Sequence, residues 1–311
     1  MNNSRAIIAA VVAAGLLLVA FLVINNSSDD EDDADSTTSA VSSTTDADAT
    51  TTSSDTSGPG ACEIANLNLV NPGTLTIGTD DPAFPPWFDF EDPASGVGFE
   101  SAVGKAIAGE LGFADDQVEW IVVPFNNAFA PGAKDFDFDI NQVSIRPERA
   151  EVIDFSDGYY EVRQALVALE GSPAIGAKTI ADLKDVLLGA QIGTTSLDYI
   201  ESVIQPNNQA LVYDTNADAK AALEAGQVDA LVFDLDTAFF IVAVEIEDAS
   251  VVGQFEDIGD SPEEFGLVFE KDNPLVTCVN AALTTLRDNG SLAAFEQEYL
   301  ADATGAPVIG S

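Results

Sequence analysis

From residue 75 onward the chain alternates short aliphatic runs with amphipathic stretches, and this restricts the fold more than any other feature. LTIGT at 75–79 and QALVAL at 164–169 have the length of buried strands, and VEWIVV at 118–123 alternates along one. AQIG at 190–193, ALVYD at 210–214 and VDALVF at 228–233 read as further strands. Between them, residues 99–111 place Val103, Ile107 and Leu111 on one helical face and stop at Gly112. TIADLKDVL opens with Thr179 and has Asp182 three residues on, a capping-box pattern. Helices are also predicted over SLDYIESVI at 196–204, over 216–225 up to Gly226, and over 236–244. Asn273-Pro274 opens one toward Arg287 that Gly290 ends, and Ser291 caps a last one with Leu292, Phe295 and Tyr299 on one face. Alternation of this kind predicts an α/β fold with largely parallel sheets. No internal repeat interrupts it.

The amino-terminal sixty residues follow other rules. Residues 6–24, AIIAAVVAAGLLLVAFLVI, carry no charge and are just long enough as a helix to cross a hydrocarbon core of about 30 Å. Arg5 precedes the run and acids at 29–33 follow it, which keeps the amino terminus cytoplasmic and exports the rest. The run length and the lack of a small-residue cleavage site in FLVINNSS favour an uncleaved anchor over a cleaved signal peptide. Residues 25–60 are Ser, Thr, Asp and Ala with almost nothing to bury, so a flexible, self-repelling tether is expected. The folded part then spans 61–311. In an exported, oxidising setting the two cysteines, Cys62 and Cys278, are expected to form a disulfide tying the entry segment to a helix near the carboxy terminus.

Charge excludes several classes of function. With 53 acidic residues against 11 basic ones the net charge is −42, opposite in sign to a nucleic-acid footprint. The chain has no histidine, so it has no Ser-His-Asp or Cys-His triad and no His-ligated zinc, and two cysteines cannot build a Cys₄ site. No metal or cofactor is expected. DFDFD at 135–139 mimics the start of a calcium loop, but Ile140 and Arg146 stand where such a loop needs Gly and Glu, so a strand is the better reading. GVG at 96–98 lacks the strand–loop–helix setting of a nucleotide site and reads as a turn. The acidity itself reads as a solvated surface of a soluble, monomeric protein.

Six phrases carry a resemblance: GTDDPAFPPWFDF, GFESAVGKAIAGELGF, INQVSIRPERAEVIDFSDGYY, LKDVLLGAQIGTTSLDYI, LEAGQVDALVFD and NPLVTCVNAALTTLRDNGSLAAFEQEYL. In this order and spacing, over about residues 73–300, the chain resembles the polar amino-acid-binding proteins of ABC importers, the family 3 extracellular solute-binding proteins. The resemblance implies a type II periplasmic-binding-protein-like fold, two α/β lobes that close on one free amino acid about two hinge strands. It places one lobe at about 73–163 plus 263–311 and the other at about 164–262, with crossings near 161–164 and 261–265. It implies delivery to an ABC permease in the membrane, and no catalysis. A dehydratase-like enzyme on the same fold and an amino-acid sensor domain are the rival readings.

Site residues follow from the same phrases. A pocket for a free amino acid must pair both a carboxylate and an ammonium. Arg149 matches the carboxylate-binding arginine, whose guanidinium fork suits a carboxylate, and its alternative is a surface ion pair. Ser144 matches a nearby hydroxyl donor, while Asn141 and Gln142 stand where the family often has Ser or Gly. Thr195, at a loop entering a helix, matches a second-lobe donor to the carboxylate, and it would serve equally as a simple helix cap. Asp234 matches the ammonium partner, with Asp236 as its rival. Phe84 and Trp87 match aromatic positions over the ligand side chain, whereas Phe88 and Phe90 are expected in the core. Asp80 and Glu100 would suit a basic or amide side chain and Arg146 an acidic one, so the ligand stays open.

Overall fold

A computed structural model describes residues 61–90, 92–257, 261–300 and 305–310. The expected anchor at 6–24 and tether at 25–60 lie outside the described residues. Among the described residues no helix is long and apolar enough to cross a membrane.

The strands are β1 (Leu75–Thr79), β2 (Val118–Val122), β3 (Phe138–Asp139), β4 (Ile153–Phe155), β5 (Tyr160–Val162), β6 (Gln164–Leu169) and β7 (Leu188–Gln191). They continue as β8 (Leu211–Tyr213), β9 (Ala230–Asp234), β10 (Ala249–Phe255), β11 (Glu263–Phe265), β12 (Val268–Glu270) and β13 (Val308–Ile309). One sheet has the order β2-β1-β3-β12-β4 and another β13-β10-β6-β9-β7-β8, while β5 and β11 form a separate two-stranded antiparallel ribbon.

The sheets are mixed, which corrects the expectation of largely parallel ones. β1 pairs in parallel with β2 and β3, and β7 in parallel with β8 and β9, as strand–helix–strand connections require. β12 is antiparallel to β3 and β4, and β6 is antiparallel to β9 and β10. The antiparallel strands are those flanking the β5–β11 ribbon, where the chain passes from one sheet to the other and back.

Each sheet has its own apolar core. In β6, Leu166 and Ala168 pack into a cluster on one face with Ile200 and Ile204, while Ala165 and Val167 pack on the other with Leu223 and Ile241. Cover on both faces is why QALVAL shows no polar alternation. The first sheet buries Leu75 and Ile77 against Val103 and Ile107 of the helix Phe99–Glu110 and against Val279 and Leu283 of the helix Leu275–Asp288. Cys62 is disulfide-bonded to Cys278 on that last helix.

Local signals account for most helix ends. Thr179 and Asp182 form the predicted capping box, although the helix is a single 3-10 turn at Ile180–Leu183. Gly112 and Gly226 take positive φ after their helices, and the Asn273 side chain accepts the Leu275 amide. Ser291 is the first residue of its helix rather than its cap; Gly290 holds that position in a left-handed conformation. The helix Phe99–Glu110 is fixed at its start by Gly98, where a Cβ would meet the Trp87 carbonyl oxygen at 2.5 Å. That close approach lays the FPPWF loop across the helix start, with the Phe99 and Glu100 amides donating to Pro86 and Trp87 carbonyls.

Candidate functional site

A small cavity of about 60 Å³ lies where the ends of β1, β3 and β9 converge, and its walls come from both large sheets. Eight of the nine residues singled out for ligand contact line it: Asp80, Phe84, Asn141, Gln142, Ser144, Arg149, Thr195 and Asp234. Thr79, Phe88, Phe125, Gln191, Thr194 and Asn216 complete most of the wall. Open α/β sheets place ligands at the carboxyl ends of their strands, and Thr79 and Asp234 are such ends.

Arg149 is 9 % exposed and is the one base among the lining residues. One terminal nitrogen donates to the Ser144 carbonyl and the other to the Gly193 carbonyl, each at 2.8 Å. The guanidinium carbon sits 4.3 Å from the centre of the Phe129 ring. No carboxylate forms an ion pair with it among the described residues, so it is held by dipoles and an aromatic face. Burial lowers its pKa to about 10, which leaves it charged at neutral pH. Gly193 has φ +77, and a Cβ there would fall 2.1 Å from Asn126 Oδ1.

Asp234, the last residue of β9, lines the same cavity. Its Oδ1 accepts from Gln164 Nε2 at 2.7 Å. The same nitrogen reaches Thr195 Oγ1 at 3.2 Å, and Gln164 Oε1 accepts from Ser196 at 2.5 Å. Burial, followed by the negative charge of Glu263, pushes the Asp234 carboxyl up to about 8. An ammonium placed against it would draw it back to the ionised form. Its rival Asp236 does not line this cavity. It accepts the Tyr160 hydroxyl at 2.6 Å and faces a separate open hollow of about 460 Å³ beside the helix Ser291–Tyr299.

Thr194, not Thr195, is the helix cap, accepting the Leu197 amide, which leaves Thr195 turned to the cavity. The Ser144 hydroxyl donates to Glu263 at 2.5 Å, whereas two other lining groups, the Asn141 amide nitrogen and the Thr79 hydroxyl, are buried without a partner. Asp80 accepts its own neighbour's amide and that of Phe125, and burial raises its carboxyl. Arg146 stays outside, paired with Glu148 and Asp198.

Trp87 is corrected. It is fully buried, its Nε1 donates to Thr237 at 2.9 Å, and its ring meets Phe99, Tyr160 and Phe265 edge to face. An indole gains most where its N–H has a partner and its ring is surrounded, and this site supplies both. Phe88, expected in the core, is buried yet takes the place on the cavity wall. Phe90 is half exposed, with its ring 6.0 Å from that of Phe240.

DFDFD contains a strand, as expected, but the alternation does not turn its acids outward. Asp137 accepts the amides of Thr76 and Val70. Asp139 is fully buried, and neither of its oxygens has a partner. Burial, reinforced by the charges of Glu100 and Asp80, raises its carboxyl well above the usual range. The folded state therefore holds a proton that the unfolded chain releases at about pH 4, and stability falls as pH rises above that point. Asp139→Asn is expected to raise the melting temperature by a few degrees at pH 8, with the gain vanishing toward pH 4. Thermal denaturation across that range checks it; equal stability at pH 8 would contradict the buried, unpaired carboxyl.

Residues 75–302 match the profile of the bacterial extracellular solute-binding proteins, family 3. The chain is 29 % identical over 224 residues to an L-arginine-binding protein of Pseudomonas aeruginosa, covering 70 % of this chain and 84 % of that one. It is 30 % identical over 245 residues to an L-cystine-binding protein of Escherichia coli, covering 76 % and 87 %. Among solved structures, an ancestral arginine-binding protein bound to glutamine superposes with a TM-score of 0.62 at 31 % identity, over 73 % of this chain and 98 % of the other.

Proposed function

Because the chain belongs to the bacterial extracellular solute-binding proteins, family 3, we propose that it is the extracytoplasmic binding component of an ABC importer and that its ligand is a free amino acid with a basic or amide side chain. The observation that carries the reading is that Arg149 and Asp234 line one cavity. The guanidinium takes the carboxylate, with Asn141 and Thr195 as further donors, and Asp234 takes the ammonium. Asp80 is left over, and a positive or donor side chain satisfies it. Relatives that bind arginine and cystine support this choice, since each of those ligands carries a second nitrogen group.

Capture is by closure. Arg149 belongs to the proposed lobe 73–163 plus 263–311, whereas Thr195 and Asp234 belong to the proposed lobe 164–262. A ligand fully paired only when these meet shifts the population to the closed state. The β5–β11 ribbon and the start of β6 serve as hinge. Residues 6–24 hold the protein at the outer face of the membrane, 25–60 give it reach to a permease, and it works as a monomer. Arg149 and Asp234 hold the ligand and catalyse nothing.

The test is a calorimetric and thermal-shift panel of the twenty amino acids on residues 61–311. A ligand at a thousandfold excess over its Kd adds about 4 kcal/mol of stability, a rise of roughly 10 °C. Arginine, lysine or glutamine should give the largest shift. Silence across the panel would sink the reading, and turnover of a bound compound would favour the enzyme.

A further inference from the structure

Gln142 lines the cavity with a backbone that residues with a side chain rarely adopt, at φ +49. Glu100 holds it there. This glutamate sits in the first turn of the helix Phe99–Glu110, yet it is wholly buried. Its Oε1 accepts the Gln142 backbone amide at 2.7 Å and also the Tyr159 hydroxyl, and its Oε2 accepts Nε2 of the Gln142 side chain. An ionised carboxylate can only accept, so it must take the NH₂ end of the Gln142 amide. With one N–H of Nε2 engaged on Glu100, the acceptor Gln142 has left is its carbonyl oxygen.

We propose that Glu100 is a specificity-positioning residue: it orients the Gln142 amide so that the cavity offers a carbonyl oxygen, selecting ammonium, guanidinium or amide side chains over carboxylates. The inference rests on the amino-acid-binding function proposed above and deepens it. Carbonyl against NH₂ at one wall position inverts which ligand side chain is hydrogen-bonded and which is repelled.

The same geometry links selectivity to pH. Tyr159 and the Gln142 amide both donate to Oε1, so a proton on Glu100 has to sit on Oε2. It then becomes a donor toward Gln142, the amide turns over, and NH₂ faces the ligand. Burial raises the Glu100 carboxyl to about 7, against the hydrogen bonds from Tyr159 and Gln142. The ionisable groups facing it are acidic: Asp139 on β3 and Asp234 at the end of β9, both of whose carboxyls are pushed up in part by Glu100. Lys134 acts on Asp139 in the opposite sense. Preference for cationic over acidic ligands is therefore full above pH 8 and declines as pH falls through about 7. Protonation of Asp234 weakens binding of every amino acid alike, so the ratio of two ligands isolates the Glu100 effect.

Glu100→Gln is the decisive variant. Its carbonyl oxygen still accepts from Tyr159 and the Gln142 backbone, which turns its NH₂ toward Gln142 and fixes the inverted amide at all pH values. Affinities for L-arginine and L-glutamate are measured by calorimetry or competition at pH 8.5 and 6. In the wild-type protein the arginine-over-glutamate ratio should fall between these pH values. In Glu100→Gln it should be lower by tenfold to a hundredfold at pH 8.5, the worth of one hydrogen bond to a charged group, and flat with pH. In Gln142→Ala the ratio should also be flat, and adding Glu100→Gln should change it no further. Should Glu100→Gln fail to fold, the Gln142→Ala pH profile decides alone. A wild-type ratio that survives Glu100→Gln, or a pH dependence that survives Gln142→Ala, overturns the proposal while leaving amino-acid binding intact. Failure of the wild-type protein to bind any amino acid overturns the proposed function first.

Discussion

Arg149→Ala is expected to abolish ligand binding and leave a folded protein. The cavity wall contains the acids Asp80 and Asp234 and this single base, and Glu263 stands close behind through Ser144 and Gln164. Without the guanidinium, a ligand carboxylate would enter a wholly negative site. Removing one partner of a buried, hydrogen-bonded charge pair costs about 2–5 kcal/mol or more, a loss of thirtyfold to several thousandfold in affinity. The fold should tolerate the change, because Arg149 gives up two backbone carbonyls and an aromatic face rather than a carboxylate partner. Water entering the emptied space can satisfy both carbonyls. Arg149→Lys is the informative control. It keeps the charge and loses the fork, so weak binding should return without reaching the wild-type level. Calorimetry with the tightest ligand of the panel, beside circular dichroism, reads both halves of this expectation. Unchanged affinity in Arg149→Ala would refute the assignment of the carboxylate site.

Arg149, Asp234 and Thr195 stand out in the sequence through the family phrases that contain them, and local pattern adds to this only where it places a residue at an element's end: VDALVF is a buried strand that ends in Asp234, and Thr195 begins a helix. The loop holding Trp87 and Phe88 has no period, so nothing in FPPWF said which ring turns inward. Pairing of Trp87 Nε1 with Thr237, 150 residues away, decided it. Gln164 and Glu263 were missed as site residues for a related reason. Each lies where the chain passes between sheets, and they meet at 3.4 Å only after both passages are built. β4, β10, β12 and β13 were likewise absent from the sequence reading. β4 and β12 have three residues and β13 two, too short for a period, and β10 is partly polar and bulged. In DFDFD the alternation was visible, but its meaning was not. β3 is central, between β1 and β12, and both of its faces are covered, so Phe138 and Asp139 are both buried. Alternation signals a half-exposed strand only when one face meets water.

The Cys62–Cys278 bond carries the largest expected effect on stability. It closes a loop of 216 residues, enclosing nearly all of both sheets. Restricting the unfolded chain by a loop of that length contributes about 5 kcal/mol in the chain-entropy account. The double variant Cys62→Ser, Cys278→Ser is therefore expected to melt roughly 10–20 °C lower than the wild-type protein. Part of the loss has a local route as well. The entry segment packs Ile64, Leu67 and Leu69 against the first core while only partly buried, and without the bond it docks by those contacts alone. The two routes separate in denaturant. An entropic loss acts through the unfolded state and lowers the midpoint of a single transition, whereas a local loss exposes 61–69 to proteolysis well below that midpoint. Neither cysteine touches the ligand cavity, so the shift produced by a bound amino acid should persist in the double variant. A fall in melting temperature of under about 3 °C would mean that the long loop barely restricts the unfolded chain. Loss of ligand response at intact fold would mean that the bond positions the site, which its place on the far helix does not lead one to expect.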